Sequence, residues 1–382
     1  MTELRTAALA EEGSAVDELE TPCLLVDLDR LERNVERWQE QITLHGPRLR
    51  PHIKTHKIPE IAAMQLAAGA TGIAVAKVAE AEVFAERGCT DIVIAYPVVG
   101  PRKWERIAAL AESVKIAVNV DSGVAARGLS AAASHHGVSV GVHVEIDTGF
   151  GRCGFRPADL DSIEQLARLV HKLPGLELEG VTTHRGIFFA GAETMTLDEA
   201  GAEEGRLMVE VAERLRDRGV AVREVTAGGT ITGRAVAGVP GITEVRAGTY
   251  VFQDLMQLGF GSASADELAL SVLCTVVSHQ AHDRATIDGG SKTFSGDRGL
   301  IGGTSAGFDG VGRAVDRDVV LARMSEEHGM VHVGEDPVEI GERIAFYPVH
   351  ACTCVNLANE VYGVRGGVVE KVWPVLARGK RT

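Results

Sequence analysis

The chain has 382 residues, is 45% hydrophobic and carries a formal net charge of −14; that length allows a large core and about two domains. The acidic balance, with no clustered basic stretch, argues against nucleic acid or an anionic membrane as partner. Six cysteines spread from Cys23 to Cys354 make no disulfide framework, residues 1–20 lack the pattern of a secretory leader, and no apolar run reaches the roughly 18 residues that span a bilayer, so a cytoplasmic enzyme with reduced thiols is expected.

In chain order, the first helical pattern runs near Asp29–Thr43, with Leu31, Val35 and Trp38 on one face. Short β-branched runs then alternate with Ala-rich amphipathic stretches. Strands are predicted over Leu49–Lys54, Gly72–Ala76, Asp91–Tyr96, Lys115–Val120, Val138–Ile146, Leu176–Thr183, Val222–Thr226 and Thr243–Arg246. Helices are predicted over Ile58–Ala68, Val78–Arg87, Arg102–Ser113, Ser122–His135, Ala158–Lys172 and Leu197–Arg218, while Thr230–Pro240 is too short for a full one. Eight such units predict an α/β fold, a closed TIM-type (β/α)8 barrel over residues 20–265 rather than an open doubly wound sheet. After about Ala265 the pattern changes to strands without long helices: Leu268–His282, Arg284–Asp288, Val319–Met324, Val331–Val333, Arg343–Pro348 and Glu360–Val364, with a Gly- and Asp-rich loop over Ser295–Val315. Residues 266–382 are expected to form an antiparallel β domain, with residues 1–19 packed on it.

Polar residues gather where the predicted barrel strands end. Lys54 closes the first, within Arg50-Pro51-His52-Ile53-Lys54-Thr55-His56-Lys57. A partly desolvated lysine there retains some free amine near neutral pH and suits Schiff-base chemistry with pyridoxal phosphate. Strand alternation would turn His52, Lys54 and His56 to one side; the competing reading is a solvated basic stretch. Asp147-Thr148-Gly149-Phe150-Gly151-Arg152 follows the fifth strand and offers Arg152 to the phenolic oxygen of such a coenzyme, unless it is simply a surface arginine. His184 follows the sixth. Gly228-Gly229-Thr230 and Gly248-Thr249-Tyr250 follow the last two strands, where barrels of this kind bind phosphate through bare backbone N–H groups, here with the hydroxyls of Thr230 and Tyr250 as added donors.

These segments resemble the D-serine dehydratase-like and D-threonine aldolase family, relatives of the alanine racemase barrel among fold-type III pyridoxal-phosphate enzymes. The likeness covers nearly the whole chain and includes Ile287-Asp288-Gly289-Gly290-Ser291-Lys292, Ser325-Glu326-Glu327-His328-Gly329 and His350-Ala351-Cys352-Thr353-Cys354-Val355-Asn356-Leu357. The resemblance implies that Lys54 carries the coenzyme, that subunits pair head to tail as a homodimer, and that His350 and Cys352 hold a divalent metal near the substrate's β-hydroxyl. Cysteine at 352 is similar to the dehydratases, whereas the aldolases typically carry aspartate there. A thiolate with an imidazole favours zinc over manganese or magnesium. The chain departs from several relatives at Thr182-Thr183-His184, where they have a tyrosine beside the histidine. The implied activity is that of a lyase on a small D-3-hydroxy amino acid of the serine, threonine or 3-hydroxyaspartate type. It would proceed by β-elimination to a 2-oxo acid and ammonia, Lys54 taking the α-proton and His184 lining the coenzyme or orienting a water. Retro-aldol cleavage to glycine and an aldehyde is one rival, and a non-catalytic coenzyme-binding protein another. A racemase would need a second base opposite Lys54, and Glu145 stands where the racemase pattern has a lysine.

Overall fold

The computed structural model describes residues 11–281, 283–301, 304–334 and 337–382. Strand β1 (Cys23–Asp27) leads into α1 (Leu28–Thr43), whose Leu28, Leu31, Val35, Trp38 and Ile42 form one buried stripe and whose first turn is capped by Asp27 accepting the Arg30 N–H. A parallel sheet follows, built from β2 (Arg48–Leu49), α2 (Pro59–Ala67), β3 (Ile73–Val75), α3 (Val78–Glu86), β4 (Asp91–Ile94), α4 (Pro101–Leu110), β5 (Lys115–Val120) and α5 (Gly123–His136). It continues with β6 (Val140–Glu145), α6 (Leu160–Lys172), β7 (Leu176–Thr182), α7 (Leu197–Asp217), β8 (Glu224–Ala227), α8 (Gly233–Ala237) and β9 (Glu244–Val245). Among the described residues no helix is long and apolar enough to cross a membrane.

Strands β2 to β9 pair in the order β2-β9-β8-β7-β6-β5-β4-β3. The sheet curls until its ends meet: the Thr71 and Ala74 N–H groups donate to the Leu49 and Pro51 carbonyls at 3.2 and 2.7 Å, and His52 bridges Ala74. All six residues of β6 are buried, as expected for a parallel strand covered on both faces. Helix α8 has only five residues, and α1 packs between it and α2, filling the gap that the short last interval leaves.

Arg50 crosses the seam. Its Nε donates to Glu244 of β9 at 2.8 Å and its Nη1 to Asp91 of β4 at 2.6 Å. The guanidinium passes over Gly72, where a Cβ would collide with it and with the Asp91 carbonyl. Glycine keeps that path open.

In the second unit, six strands close on themselves as an antiparallel barrel: Leu270–Ala281, Arg284–Ile287, Gly329–Val333, Val319–Met324, Gly312–Ala314 and Arg343–Pro348. Strand β1 pairs antiparallel with Leu270–Ala281 and parallel with Glu360–Arg365, which forms a hairpin with Val368–Pro374. Residues 23–27, expected at the start of the parallel barrel, thus belong to the second sheet. The apolar run Cys23-Leu24-Leu25-Val26 is buried on both faces, Leu24 and Val26 toward the main core and Leu25 against Leu273 and Tyr362, so it needs neighbours on both edges. Gly312–Ala314 lies inside the expected loop, and the predicted strand Leu268–His282 ends on a residue outside those described. Ala15 bridges Val368, which places the described part of 1–19 on this sheet; residues 1–10 lie outside the described set.

Arg50→Met would take the nearest cation from the buried Glu244 carboxylate, leaving it Arg48 at 4.0 Å and the Thr226 hydroxyl at 3.5 Å, and should destabilise the protein by about 3 kcal/mol, read as a lower urea midpoint. On β6, burial, with Arg246 and Arg50 nearby, pushes the His143 pKa from 6.5 down to about 3. The folded chain refuses a proton that the unfolded chain accepts, so this contribution to stability is full above about pH 6.5 and is lost as pH falls toward 3. Thermal melts taken as the pH is lowered should show a steeper loss for the wild type than for His143→Gln.

Candidate functional site

A cavity of about 1000 Å³ opens where the parallel strands end, walled on the far side by the second unit. After β2 the chain does not continue as a strand. Ile53–Thr55 is a 3-10 turn, and the His52 ring accepts the Lys54 N–H at 3.4 Å. The turn breaks the two-residue alternation expected from sequence. His52 and Lys54 still line the cavity, but His56 does not: its Nδ1 accepts the Ile58 N–H at 3.1 Å, and its ring lies edge-on to Phe84 and Phe252. Burial lowers the Lys54 pKa; the Cys352 thiolate opposes this, and Arg152 and Arg246 reinforce it. The result is an amine biased toward its nucleophilic neutral form.

Arg152 lines the cavity, packs over Phe150 at 5.2 Å and faces Glu145 at 3.8 Å. Asp147 shapes its loop by accepting the Gly149 and Gly151 N–H groups. Glu145 also accepts from Asn119 at 2.7 Å and from the Cys153 thiol at 3.2 Å. His184 stands edge-on to Phe150, and burial, helped by Lys54 and Arg152, keeps its imidazole neutral.

The two glycine turns come together beside Lys54. Among the described residues, the backbone N–H groups of Gly229, Thr230 and Ile231 have no protein partner, although all three residues line the cavity. The Thr230 hydroxyl accepts the Gly248 and Tyr250 N–H groups at 3.3 and 3.2 Å, leaving its own proton to donate. A Cβ on Gly248 would lie 2.8 Å from the His52 carbonyl, so this turn approaches the Lys54 segment only as glycine. From behind, the Glu204 carboxylate accepts the Arg185 N–H, the Gly228 N–H and the Thr232 hydroxyl, fixing the loop. These bare donors beside an amine suit a cofactor with an anionic group and an aldehyde.

One expectation for this cup is corrected. Tyr250 does not line the cavity. The 3-10 turn Thr249–Val251 directs its ring against Trp38, and its hydroxyl accepts from Gln65 at 2.9 Å. Thr249 does line the cavity, with its hydroxyl 3.7 Å from the Cys352 sulfur. Arg246, at the start of the segment that leads into the second glycine turn, also lines the cavity. Its Nη2 donates to Thr182 while its buried Nη1 has no partner among the described residues.

On the opposite wall, His350 precedes the short helix Ala351–Val355, which carries Cys352 into the cavity. The His350 Nδ1 lies 2.7 Å from the Asp297 carboxylate, which also accepts the Thr353 hydroxyl at 2.9 Å. Cys352 Sγ is 3.2 Å from the Thr55 hydroxyl. Burial opposes a charged thiol, but His350, Lys54 and Thr55 outweigh it and hold the Cys352 pKa below the usual thiol range. Burial likewise opposes a charged His350, yet Cys352 and Asp297 lift it well above the usual imidazole value. Cys354 is buried elsewhere, its thiol donating to the Thr293 carbonyl. Among the described residues no group of three or more His, Cys, Asp or Glu converges to cage a metal.

Residues 26–255 match the profile of the alanine racemase N-terminal domain, and residues 269–364 that of a putative serine dehydratase domain. A D-threo-3-hydroxyaspartate dehydratase from Delftia sp. strain HT23 is 36% identical over 87% of this chain and 91% of its own length. A D-threonine aldolase from Arthrobacter sp. is 34% identical over 97% of this chain and 96% of its own. The crystal structure of a D-threonine aldolase from Filomicrobium marinum superposes with a TM-score of 0.87 at 32% identity, covering 98% of this chain and all of that one. A cysteine-to-alanine variant of a D-threo-3-hydroxyaspartate dehydratase, described as metal-free, superposes at 0.84 with 33% identity over 94% of this chain and 98% of its own. Both halves of the chain, joined in the same order as in these relatives, carry one family's features: the chain belongs to the D-threonine aldolase and D-serine dehydratase-like family of fold-type III pyridoxal-phosphate enzymes.

Proposed function

We propose that this chain is a lyase that eliminates the β-hydroxyl of a D-3-hydroxy amino acid, giving a 2-oxo acid and ammonia. The observation that carries the reading is Lys54, a desolvated amine between a cup of bare N–H donors and the His350–Cys352 pair. Elimination is preferred over retro-aldol cleavage because Cys352 would provide a soft ligand beside His350, the residue that the resemblance to the dehydratases implies at this position. Bound pyridoxal phosphate supplies an aldehyde for amines and a ring that delocalises charge from the substrate's α-carbon.

The Gly229, Thr230 and Ile231 N–H groups and the Thr230 hydroxyl hold its phosphate, and Arg152 lies ready for its phenolic oxygen. His184 would line the coenzyme, and Arg246 would offer its unmatched Nη1 donor. Lys54, neutral once displaced, is the base that takes the α-proton. With Nδ1 engaged by Asp297, His350 would be free to hold a divalent metal together with Cys352, zinc fitting this donor set ahead of manganese or magnesium. A divalent metal held there would supply Lewis-acid chemistry for loss of the hydroxyl. The enamine product hydrolyses to the 2-oxo acid and ammonia. In this reading residues 20–265 bind the coenzyme, residues 266–382 supply the metal ligands, and the enzyme works as a cytoplasmic homodimer.

Two measurements test the assignment. Incubation with D-threonine should yield 2-oxobutanoate, and a chelator should suppress that yield at least tenfold while the visible coenzyme band persists; glycine and acetaldehyde as products would establish the aldolase instead. Lys54→Ala should abolish both turnover and the visible band, and a retained band would remove Lys54 from its role.

A further inference from the structure

The last residues described form part of the cavity wall. From Ala377 to Thr382 the chain runs back across the mouth of the parallel barrel. The Ala377 N–H donates to the Lys57 carbonyl at 3.2 Å, and the Ala79 N–H, in the first turn of α3, donates to the Thr382 carbonyl at 2.8 Å. Between these anchors Lys380 and Arg381 line the cavity.

Most other charges on the wall are matched. Lys57 pairs with Glu80 at 3.1 Å, Arg152 faces Glu145, and His350 holds Asp297. Lys77, two residues before Ala79, lies over the Tyr96 ring at 3.6 Å. Among the described residues neither Lys77, Lys380 nor Arg381 has a carboxylate partner. In a chain of net charge −14, three unmatched cations at one side of a cavity focus anions there. The coenzyme phosphate does not account for them. Strand β2, which leads to Lys54, neighbours β9 on one edge and meets β3 on the other. The bare N–H cup lies on the β8 and β9 side, whereas these cations gather on the β3 and α3 side.

Resting on the coenzyme and amino-acid reading above, we infer that Lys380 and Arg381, with Lys77, receive a second carboxylate on the substrate's side chain. The tail is then a specificity determinant, selecting dicarboxylic 3-hydroxy amino acids over those with neutral side chains. Its anchors are backbone hydrogen bonds, so the placement of the two cations does not depend on their own side chains.

The test is a spectral titration of the coenzyme-loaded protein with D-aspartate and with D-alanine. Neither has a β-hydroxyl to lose, so the affinity ratio does not depend on elimination or cleavage. D-Aspartate should bind about tenfold more tightly than D-alanine, the scale expected of a few partly exposed ion pairs. The double substitution Lys380→Ala, Arg381→Ala, at two exposed positions, should bring the ratio near one, and raised salt should shrink the wild-type preference. A wild-type ratio near one, or a ratio that the double substitution leaves unchanged, overturns the inference. No spectral response to either amino acid would overturn the coenzyme reading and the inference with it. A preserved preference with neither lyase product formed would instead remove only the reaction and leave selection by the tail in place.

Discussion

An amine held out of water beside two guanidinium groups is driven toward its neutral form, and the molecule is organised around that constraint at Lys54. The barrel seam serves it first. Arg50, tied to Glu244 and Asp91, fixes the end of β2, and the hydrogen bond from Ala74 to Pro51 holds the segment just beyond. The chain then leaves the strand in a single turn that presents Lys54 while burying His56 among aromatics. The glycine at 248 lets the neighbouring loop approach the same backbone closely. Each of these features serves placement of one nitrogen.

The second unit balances that arrangement. Arg152 and Arg246 push the Lys54 proton off, whereas the Cys352 thiolate pulls the other way, and Cys352 owes its own acidity to His350 and Lys54. The imidazole, thiol and amine therefore titrate as an interacting group rather than independently. Asp297, reaching in from the segment before the Gly312–Ala314 strand, sets the orientation of His350. Soft and cationic chemistry thus meet across the cavity from opposite units of the chain.

Much of this was legible in the sequence because its signals are local. Lys115–Val120 reads as a strand to the residue, and Lys54, Arg152, His184, the Gly228-Gly229-Thr230 turn, His350 and Cys352 all line one cavity. The misreadings arise where a short turn changes which way side chains face. Alternation placed His56 beside Lys54, and a glycine-turn pattern placed the Tyr250 hydroxyl toward phosphate; in both cases a 3-10 turn rotates the side chain into the apolar layer. Other features depend on partners far away in sequence. Nothing near Asp297 marks it as the companion of His350, fifty-three positions on. The pairing of β1 with Leu270–Ala281 joins opposite ends of the chain, and an apolar run says how deeply it is buried but not which sheet takes it. The hairpin Glu360–Pro374 was half hidden because Glu370 and Lys371 interrupt the apolar pattern of its second strand.

Strand β1 also determines how the two halves come apart. The polypeptide begins its described course in the second sheet, winds through the whole parallel barrel, and returns after Phe260, and its last segment then doubles back onto the barrel mouth. Pulling the halves away from each other strips a strand from between Leu270–Ala281 and Glu360–Arg365 and so opens the middle of a sheet rather than a linker. A molecule threaded this way has no cheap hinge. Separating the halves would break the hydrogen bonds on both edges of β1 at once.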